Sequence, residues 1–387
     1  MIPYGRQSIS EADIQAVIDV LRSDFLTQGP TVPAFENAVA NYTTAKHAVA
    51  VNSATSALHI ACLALGVGRG DIVWTSPISF VASANCALYC GATVDFVDID
   101  PVTYNISIDV LAQKLLHAEK AGNLPKVLIP VHLCGQSCNM QAIYKLSQQY
   151  GFKIIEDASH AIGGKYQNQP VGNCRYSDIT VFSFHPVKII TTGEGGMAVT
   201  NDDVLANKLR LLRSHGITRD EAQMAYEPHG PWYYEQIGLG FNYRMTDIQA
   251  ALGLSQMQRL DEFVAKRHVI ADCYNNELAA LPITTPAQHV DTYSAVHLYV
   301  IRLKLDEIKS THKRVFEALR AADIGVNLHY MPIYKQPYYA TLGFDNNACM
   351  GAEKYYETAI SIPMYFGLSD AMQTKVIHVL ENTLCTQ

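Results

Sequence analysis

Short apolar and β-branched runs alternate with longer stretches of helical periodicity from about residue 47 to residue 200. Such alternation is typical of parallel βαβ units, whose strands are buried on both faces and read as apolar runs like VLIPV. The pattern therefore predicts a mostly parallel sheet flanked by helices. We predict strands at 47–52, 72–75, 93–97, 126–131, 153–156, 179–183 and 197–200, and helices near 55–65, 80–89, 108–119, 140–150 and 204–214.

Further patterns flank this region on both sides. Before it, apolar positions at helical spacing follow Ser10, whose hydroxyl can cap a first turn in which Asp13 completes an imperfect capping box. After it, Gly216–Asn242 is polar, aromatic and interrupted by Pro and Gly, and its length indicates a functional or mobile loop. A helical pattern then runs from 246 to 263 and on towards 278, followed by β signals at 295–303 and helices near 310–321 and 352–358. We predict a large domain over residues 1–250 and a smaller C-terminal domain over residues 251–387.

The composition is that of a globular protein with a small-molecule partner. Of the 387 residues 49% are hydrophobic, which excludes a disordered chain. The 29 Lys and Arg against 36 Asp and Glu give a net charge of -7 without a basic block, which argues against a nucleic-acid-binding surface. No stretch reaches the roughly 18 apolar residues of a membrane span, and the first residues lack the features of a secretion signal. We therefore expect a cytoplasmic protein.

Nine cysteines are scattered along the chain. Their odd number and wide spacing do not fit a disulfide framework, so we expect reduced and mostly buried thiols. The segment His132–Cys138 (HLCGQSC) combines imidazole and thiol groups, which zinc prefers as ligands. Structural zinc takes four ligands, however, and no second CxxC or HxxxH set accompanies this segment. We expect no metal site.

A single lysine lies in an apolar, glycine-flanked loop just after the predicted strand 179–183. The loop reads SFHPVKIITTGEGG (Ser183–Gly196), with Lys188 at its centre. Partial desolvation lowers the pKa of such an ammonium group and makes the amine a usable nucleophile for a Schiff base. A lone lysine beside a strand is ordinarily a solvated surface residue, so this interpretation depends on the neighbouring groups.

Two upstream segments supply complementary groups. Asp157 follows the apolar strand 153–156, at the strand edge where ligands bind in open α/β sheets. Its carboxylate could pair with the protonated pyridine nitrogen of pyridoxal phosphate, or it could simply cap the following turn. Residues 52–58 (NSATSAL) join a strand to a helix through small residues, which suits a phosphate site at the helix N-terminus but also an ordinary N-cap. With Phe80 as a ring-stacking face, these groups together predict a pyridoxal phosphate site.

The segments resemble the DegT/DnrJ/EryC1/StrS sugar aminotransferases of the aspartate-aminotransferase-like superfamily over nearly the whole chain. Within that family, SPISFVA, SHA and GPWYYEQIGLGFNYRM are most similar to the pseudaminic acid branch. The resemblance implies a fold type I α/β transferase with a mostly parallel central sheet and a smaller C-terminal α/β domain. The matching motifs are LTQGP (26–30), NSATSALHIA (52–61), TSPISFVASAN (75–85), PVHLCGQ (130–136), EDASHAIGG (156–164), SFHPVKIITTGEGG (183–196), RSHGI (213–217), GFNYRMTDIQAALGLSQ (240–256), SAVHLY (294–299) and HYMPIY (329–334).

For the cofactor, the resemblance implies that Lys188 holds pyridoxal phosphate covalently and that Asp157 pairs with its ring nitrogen. His160, where many relatives have Gln, would bind the ring hydroxyl. Asn242 would reach the phosphate in the neighbouring subunit, which implies a homodimer. His185 could relay protons near Lys188 or could merely fix the loop. The remaining implied cofactor contacts are Ala54, Thr55 and Ser183 at the phosphate and Phe80 over the ring, where some relatives have Trp or Tyr.

The implied reaction is a ping-pong transamination with two small-molecule substrates. Glutamate is the expected amino donor, and the acceptor is the C4 keto group of UDP-2-acetamido-2,6-dideoxy-β-L-arabino-hex-4-ulose, a UDP-4-keto-6-deoxy-HexNAc that leads to pseudaminic acid. The implied sugar-nucleotide contacts are Tyr4, Asp24, Phe25, Leu26, Thr27, Asn327, His329 and Tyr330.

Three alternatives to this reaction differ in specific features. The nearest is an aminotransferase for another nucleotide-linked 4-keto-6-deoxy sugar, either a D-configured UDP-HexNAc or a dTDP-hexose. A dehydratase of the family would carry His in place of Lys188, and a non-catalytic regulatory relative would lack part of the Lys, Asp and phosphate-binding set.

Overall fold

A seven-stranded sheet lies at the centre of the computed structural model, which describes residues 1–344 and 349–385. The helices are α1 (Glu11–Leu21), α2 (Thr31–Thr43), α3 (Ala54–Ala64), α4 (Ala82–Tyr89), α5 (Ile108–Ala121), α6 (Met140–Tyr150), α7 (Asp203–Arg213), α8 (Asp247–Met257), α9 (Leu260–Glu277), α10 (His312–Ala321), α11 (Pro337–Ala340), α12 (Met350–Thr358) and α13 (Asp370–Cys385). The strands are β1 (His47–Val51), β2 (Ile72–Thr75), β3 (Thr93–Phe96), β4 (Val127–Ile129), β5 (Lys153–Asp157), β6 (Lys165–Tyr166), β7 (Gln169–Pro170), β8 (Ile179–Ser183), β9 (Gly196–Thr200), β10 (Ile217–Thr218), β11 (Glu235–Gln236), β12 (Ile283–Thr284), β13 (Thr292–Tyr293), β14 (Tyr299–Leu303) and β15 (Ala359–Ile362).

The central sheet has the strand order β1-β9-β8-β5-β4-β2-β3 and contains all seven predicted strands. The pairs β2–β3, β2–β4, β4–β5 and β5–β8 are parallel, whereas β9 is antiparallel to both β8 and β1. A parallel neighbour needs a crossover connection, usually a helix, and no helix occurs between β8 and β9. The chain therefore reverses through residues 184–195, and this reversal carries Lys188.

Helices cover both faces of the sheet, as the apolar strands require. On β1, Val49 and Val51 pack in one cluster with α3, while Ala48 and Ala50 pack on the opposite face in a cluster that contains Phe35 of α2. Every residue of β8 and β9 is buried. These two-sided contacts explain why the strand sequences are continuous apolar runs rather than alternating patterns.

Every predicted helix is present, including α4 and α12, which begin without a side-chain cap. Ser10 caps α1, and Asp13 completes the capping box. Helix α2 was not predicted, and it begins after Pro30 without a side-chain cap. The long pattern from residue 246 divides into α8 and α9 around Gln258. The loop that ends at Asn242 contains the short β10–β11 pair.

A second, antiparallel sheet of β12, β14 and β15 lies in the C-terminal part of the chain. It packs in one apolar cluster with residues of α9, α10 and α13. Ile2 also belongs to this cluster and bridges to Ile324, so the first residues of the chain pack against the C-terminal region. The division at residue 250 stays a prediction. No helix in the described ranges is long and apolar enough to cross a membrane.

Candidate active site

A cavity of about 690 Å³ opens beside the ends of β5 and β8 and the starts of α3 and α4. Most of the predicted site residues line it, although they come from distant parts of the sequence. Those between positions 54 and 188 reach the cavity because the carboxyl ends of parallel strands and the N-termini of the following helices meet at one edge of the sheet. The predicted residues in the lining are Tyr4, Ala54, Thr55, Phe80, Asp157, His160, Ser183, Lys188, Asn327, His329 and Tyr330.

Five predicted residues lie outside this lining. Asp24, Phe25, Leu26 and Thr27 are exposed in the turn before α2, and Thr27 pairs with Thr246. Asn242 is also exposed and pairs with Ser214. Within one chain these residues do not meet the cavity, so a role for them depends on a second subunit and stays a prediction.

Lys188 lies in the reversal between β8 and β9. The backbone of this reversal is fixed by the Lys188 N–H, which donates to the His185 carbonyl at 2.9 Å, and by the Thr192 N–H, which donates to Phe184 at 3.0 Å. Burial lowers the pKa of Lys188 from 10.5 to about 8, and the charge of Asp157 opposes this shift. A substantial fraction of the amine is therefore neutral, and hence nucleophilic, near neutral pH.

Asp157 is the last residue of β5, and both of its carboxylate oxygens have fixed donors. Oδ1 accepts the Ser159 N–H at 3.1 Å, so the carboxylate does cap the following turn. Oδ2 accepts the Ser83 hydroxyl at 2.6 Å. The side chain nevertheless lines the cavity, so the capping and ring-pairing interpretations are compatible.

The N-terminus of α3 forms another part of the cavity wall. The Ser53 side chain accepts the Ser56 N–H at 3.1 Å, and the N–H groups of Ala54 and Thr55 precede the first intrahelical bond. A helix start with free N–H groups is suited to bind a phosphate. A Cβ atom on Gly196 would lie 2.5 Å from the Ala54 nitrogen, so glycine at this position allows β9 to approach the helix start.

His160 is held as a neutral hydrogen-bond donor. Its Nδ1 accepts the Cys134 N–H at 3.3 Å, which leaves the proton on Nε2, 3.4 Å from the Tyr330 hydroxyl. Burial holds the pKa of His160 well below its ordinary value, and the charge of Lys188 adds to this effect. The Nε2–H group is therefore available to an acceptor in the cavity.

The HLCGQSC segment forms a hydrogen-bonded network beneath the cavity. His132 Nε2 donates to Glu156 at 2.7 Å, and His132 Nδ1 accepts the Cys138 N–H at 3.1 Å. Cys138 Sγ donates to the Val131 carbonyl at 3.2 Å. Among the described residues, no group of three or more potential ligands gathers around a metal position.

The sequence profile of the DegT/DnrJ/EryC1/StrS aminotransferase family matches residues 7–381. The chain belongs to this family.

Curated members of the family are similar over almost their whole length. The UDP-4-amino-4,6-dideoxy-N-acetyl-beta-L-altrosamine transaminase of Campylobacter jejuni subsp. jejuni serotype O:2 is 38% identical over 378 residues, which are 97% of this chain and 96% of the relative. The GDP-perosamine synthase of Caulobacter vibrioides is 37% identical over 358 residues, which are 92% of this chain and 91% of the relative. The family likeness is therefore clear, whereas these relatives are named for different sugars.

Solved structures of sugar aminotransferases confirm the predicted fold class. Helicobacter pylori PseC, an aminotransferase involved in the biosynthesis of pseudoaminic acid, superposes with a TM-score of 0.90 at 33% identity and 99% coverage of both chains. The PLP form of the putative sugar aminotransferase Spr1654 from Streptococcus pneumoniae gives a TM-score of 0.87 at 30% identity, again with 99% coverage of both chains.

The cavity of this aminotransferase also contains residues that the sequence did not indicate. His297 is 3% exposed, and its ring centroid lies 4.5 Å from that of His160. Ser79 and Ser83 line the cavity beside Asp157. His297 lies in the SAVHLY motif and both serines lie in the TSPISFVASAN motif, so each had a signal, but only the tertiary contacts show that Ser83 meets Asp157.

Proposed function

We propose that this aminotransferase uses pyridoxal phosphate to transfer an amino group from glutamate to the C4 keto group of a UDP-4-keto-6-deoxy-HexNAc. The observation that carries the proposal is that Lys188, Asp157 and the N-terminus of α3 line one cavity. Family membership makes the chain a pyridoxal phosphate enzyme, and the PLP form of the Streptococcus pneumoniae relative supports this cofactor. The product would be UDP-4-amino-4,6-dideoxy-N-acetyl-β-L-altrosamine.

Each chemical group of the cofactor has a suitable partner among the cavity residues. An amine with a pKa of about 8 suits the aldehyde, and the buried carboxylate of Asp157 suits a protonated ring nitrogen. The Nε2–H of His160 suits the ring hydroxyl oxygen. The free N–H groups of Ala54 and Thr55 suit the phosphate, with Ser183 beside them in the same lining.

When bound, the cofactor supplies an electron-withdrawing ring that stabilises negative charge at the substrate carbon. Lys188 then acts as general base and acid, because its Nζ can take the proton from the donor carbon and return it after the amino group has moved. The Asp157 carboxylate would pair with the ring nitrogen in both half-reactions. Phe80, which is 59% exposed, offers an apolar face at the cavity mouth.

The far wall of the cavity provides the groups proposed for the sugar nucleotide. The Tyr4 and His329 ring centroids lie 5.3 Å apart, and His329 Nδ1 lies 2.8 Å from the Ser361 hydroxyl. Burial lowers the pKa of His329 to about 4, so this imidazole is neutral in the working pH range. Asn327 Nδ2 lies 3.3 Å from His329 Nε2. Neutral aromatic and amide groups of this kind suit a pyranose ring.

The choice of sugar is supported by the Campylobacter jejuni relative and by Helicobacter pylori PseC, but the perosamine synthase is about equally similar. The test offers glutamate and a panel of UDP-, GDP- and dTDP-linked 4-keto-6-deoxy sugars of both C5 configurations to the purified enzyme. Mass spectrometry and NMR then identify the 4-amino product, with K188A as the inactive control. Turnover of only the L-arabino UDP sugar supports the proposal, whereas turnover of only D-configured, GDP- or dTDP-linked sugars contradicts it.

We further propose that the enzyme is a cytoplasmic homodimer in which Asn242 and the Asp24–Thr27 turn face the neighbouring subunit's cavity. The exposure of these residues supports this arrangement. Light scattering of the purified protein should give twice the chain mass of 42.7 kDa. A monomer mass at working concentration would contradict it.

A further inference from the structure

Two serine hydroxyls form a hydrogen-bonded chain that ends on Asp157. Ser83 Oγ lies 2.6 Å from Asp157 Oδ2, and Ser79 Oγ lies 2.6 Å from Ser83 Oγ. The exposed fractions of the three side chains are small, at 4% for Asp157, 3% for Ser79 and 0% for Ser83. All three residues nevertheless contribute to the cavity lining. The chain is therefore shielded from bulk water but adjacent to the reacting groups.

The Asp157 carboxylate determines which group donates in each hydrogen bond of this chain. Oδ1 of Asp157 faces the Ser159 N–H, which can only donate. An ionised carboxylate is acceptor-only, so Ser83 must donate its proton to Oδ2, and the Ser83 oxygen then accepts the proton of Ser79. Each carboxylate oxygen thus has one fixed donor and keeps a further lone pair for a group in the cavity.

The fold holds both serines beside the Asp157 carboxylate. Ser83 lies in the first turn of α4, and Ser79 precedes it by four residues in the segment before the helix. The Ser83 hydroxyl on one carboxylate oxygen and the Ser159 N–H on the other fix the rotation of the Asp157 side chain.

We propose that Ser83, supported by Ser79, is a positioning residue that fixes the Asp157 carboxylate with its free lone pairs directed at the cofactor's ring nitrogen. This inference rests on the proposed function, because it assumes that the cofactor ring occupies the cavity beside Asp157. Ser83 acts through Asp157 and takes no part in the proton transfers itself.

The test compares S83A with S83T in the pyridoxal-phosphate-loaded enzyme. Reconstitution with ¹⁵N-labelled cofactor allows NMR to measure the pH at which the ring nitrogen loses its proton. In S83A the carboxylate can turn away from the ring nitrogen, so that pH should fall by about one unit and kcat by about tenfold, with KM changed by less than about twofold. S83T retains the hydroxyl and should titrate as the parent enzyme does.

S147A is the matched control. Ser147 is a buried helical serine on α6 whose hydroxyl donates only to the Tyr144 carbonyl at 2.8 Å, away from the cavity. The S147A variant should leave the ring-nitrogen titration unchanged.

If S83A does not fold, S79A replaces it in the test. That change removes the second hydroxyl without touching Asp157, and a smaller shift in the same direction is expected.

The outcomes separate this inference from the proposed function. A parent enzyme that binds no cofactor, or that transfers no amino group, overturns the proposed function. A parent enzyme that is active while S83A, or S79A in its place, titrates and turns over like S147A overturns the positioning role alone. A downward shift in S83A with recovery in S83T supports it.

Discussion

The lowered pKa of Lys188 predicts how fast the cofactor-free enzyme captures pyridoxal phosphate at each pH. Only the neutral amine attacks the aldehyde, so the rate should rise with pH and level off above a midpoint near 8. At pH 7 a lysine with a pKa of about 8 is about 9% neutral, whereas one at 10.5 is about 0.03% neutral, a difference of about 300-fold.

The assay follows the cofactor's visible absorption after mixing with cofactor-free enzyme, over a series of buffers. Nα-acetyl-lysine, treated identically, corrects for titration of the cofactor itself. D157N provides a second check, because Asp157 raises the pKa of Lys188 and its neutralisation should move the midpoint below 8. A midpoint near 10.5, in parallel with the free amine, would refute the argument that burial activates this lysine.

Substitutions at two further positions test the groups around the cofactor. G196A places a Cβ 2.5 Å from the Ala54 nitrogen and should weaken cofactor affinity by at least about tenfold in a spectroscopic titration, because backbone must shift at the phosphate site. G68A, with no atom within 4 Å of its new Cβ, should bind normally, and equal affinities would contradict this account of the site. H160Q keeps an N–H donor and should retain kcat within about threefold, whereas H160L should lose about tenfold. Equal rates for these two variants would show that the His160 donor is not used.

The sequence predicts features that depend on local chemistry. Most strands of the central sheet were recognisable because their two-sided burial demands continuous apolar runs, whereas the edge strand β3 alternates between buried and more exposed residues. The start of α1 was recognisable because Ser10 and Asp13 are adjacent to the helix they cap. Lys188 and Asp157 stand out because each polar group interrupts or ends an apolar segment.

The features that were missed depend on contacts between distant residues. Helix α2 has no side-chain cap, and the break between α8 and α9 has no proline or glycine to mark it. Ser83 meets Asp157 across 74 positions of sequence, and only the packing of α4 beside the end of β5 brings the two together.

In the proposed reaction, Lys188 binds the cofactor and drives the amino transfer. Borohydride reduction of the pyridoxal-phosphate-loaded enzyme, followed by digestion and mass spectrometry, identifies the lysine that carries the cofactor's mass. We predict that the peptide containing Lys188 carries the cofactor's mass stoichiometrically. K188A should carry none of this label and should have no transaminase activity. Stoichiometric labelling of a different lysine, or an active and labelled K188A enzyme, would contradict it.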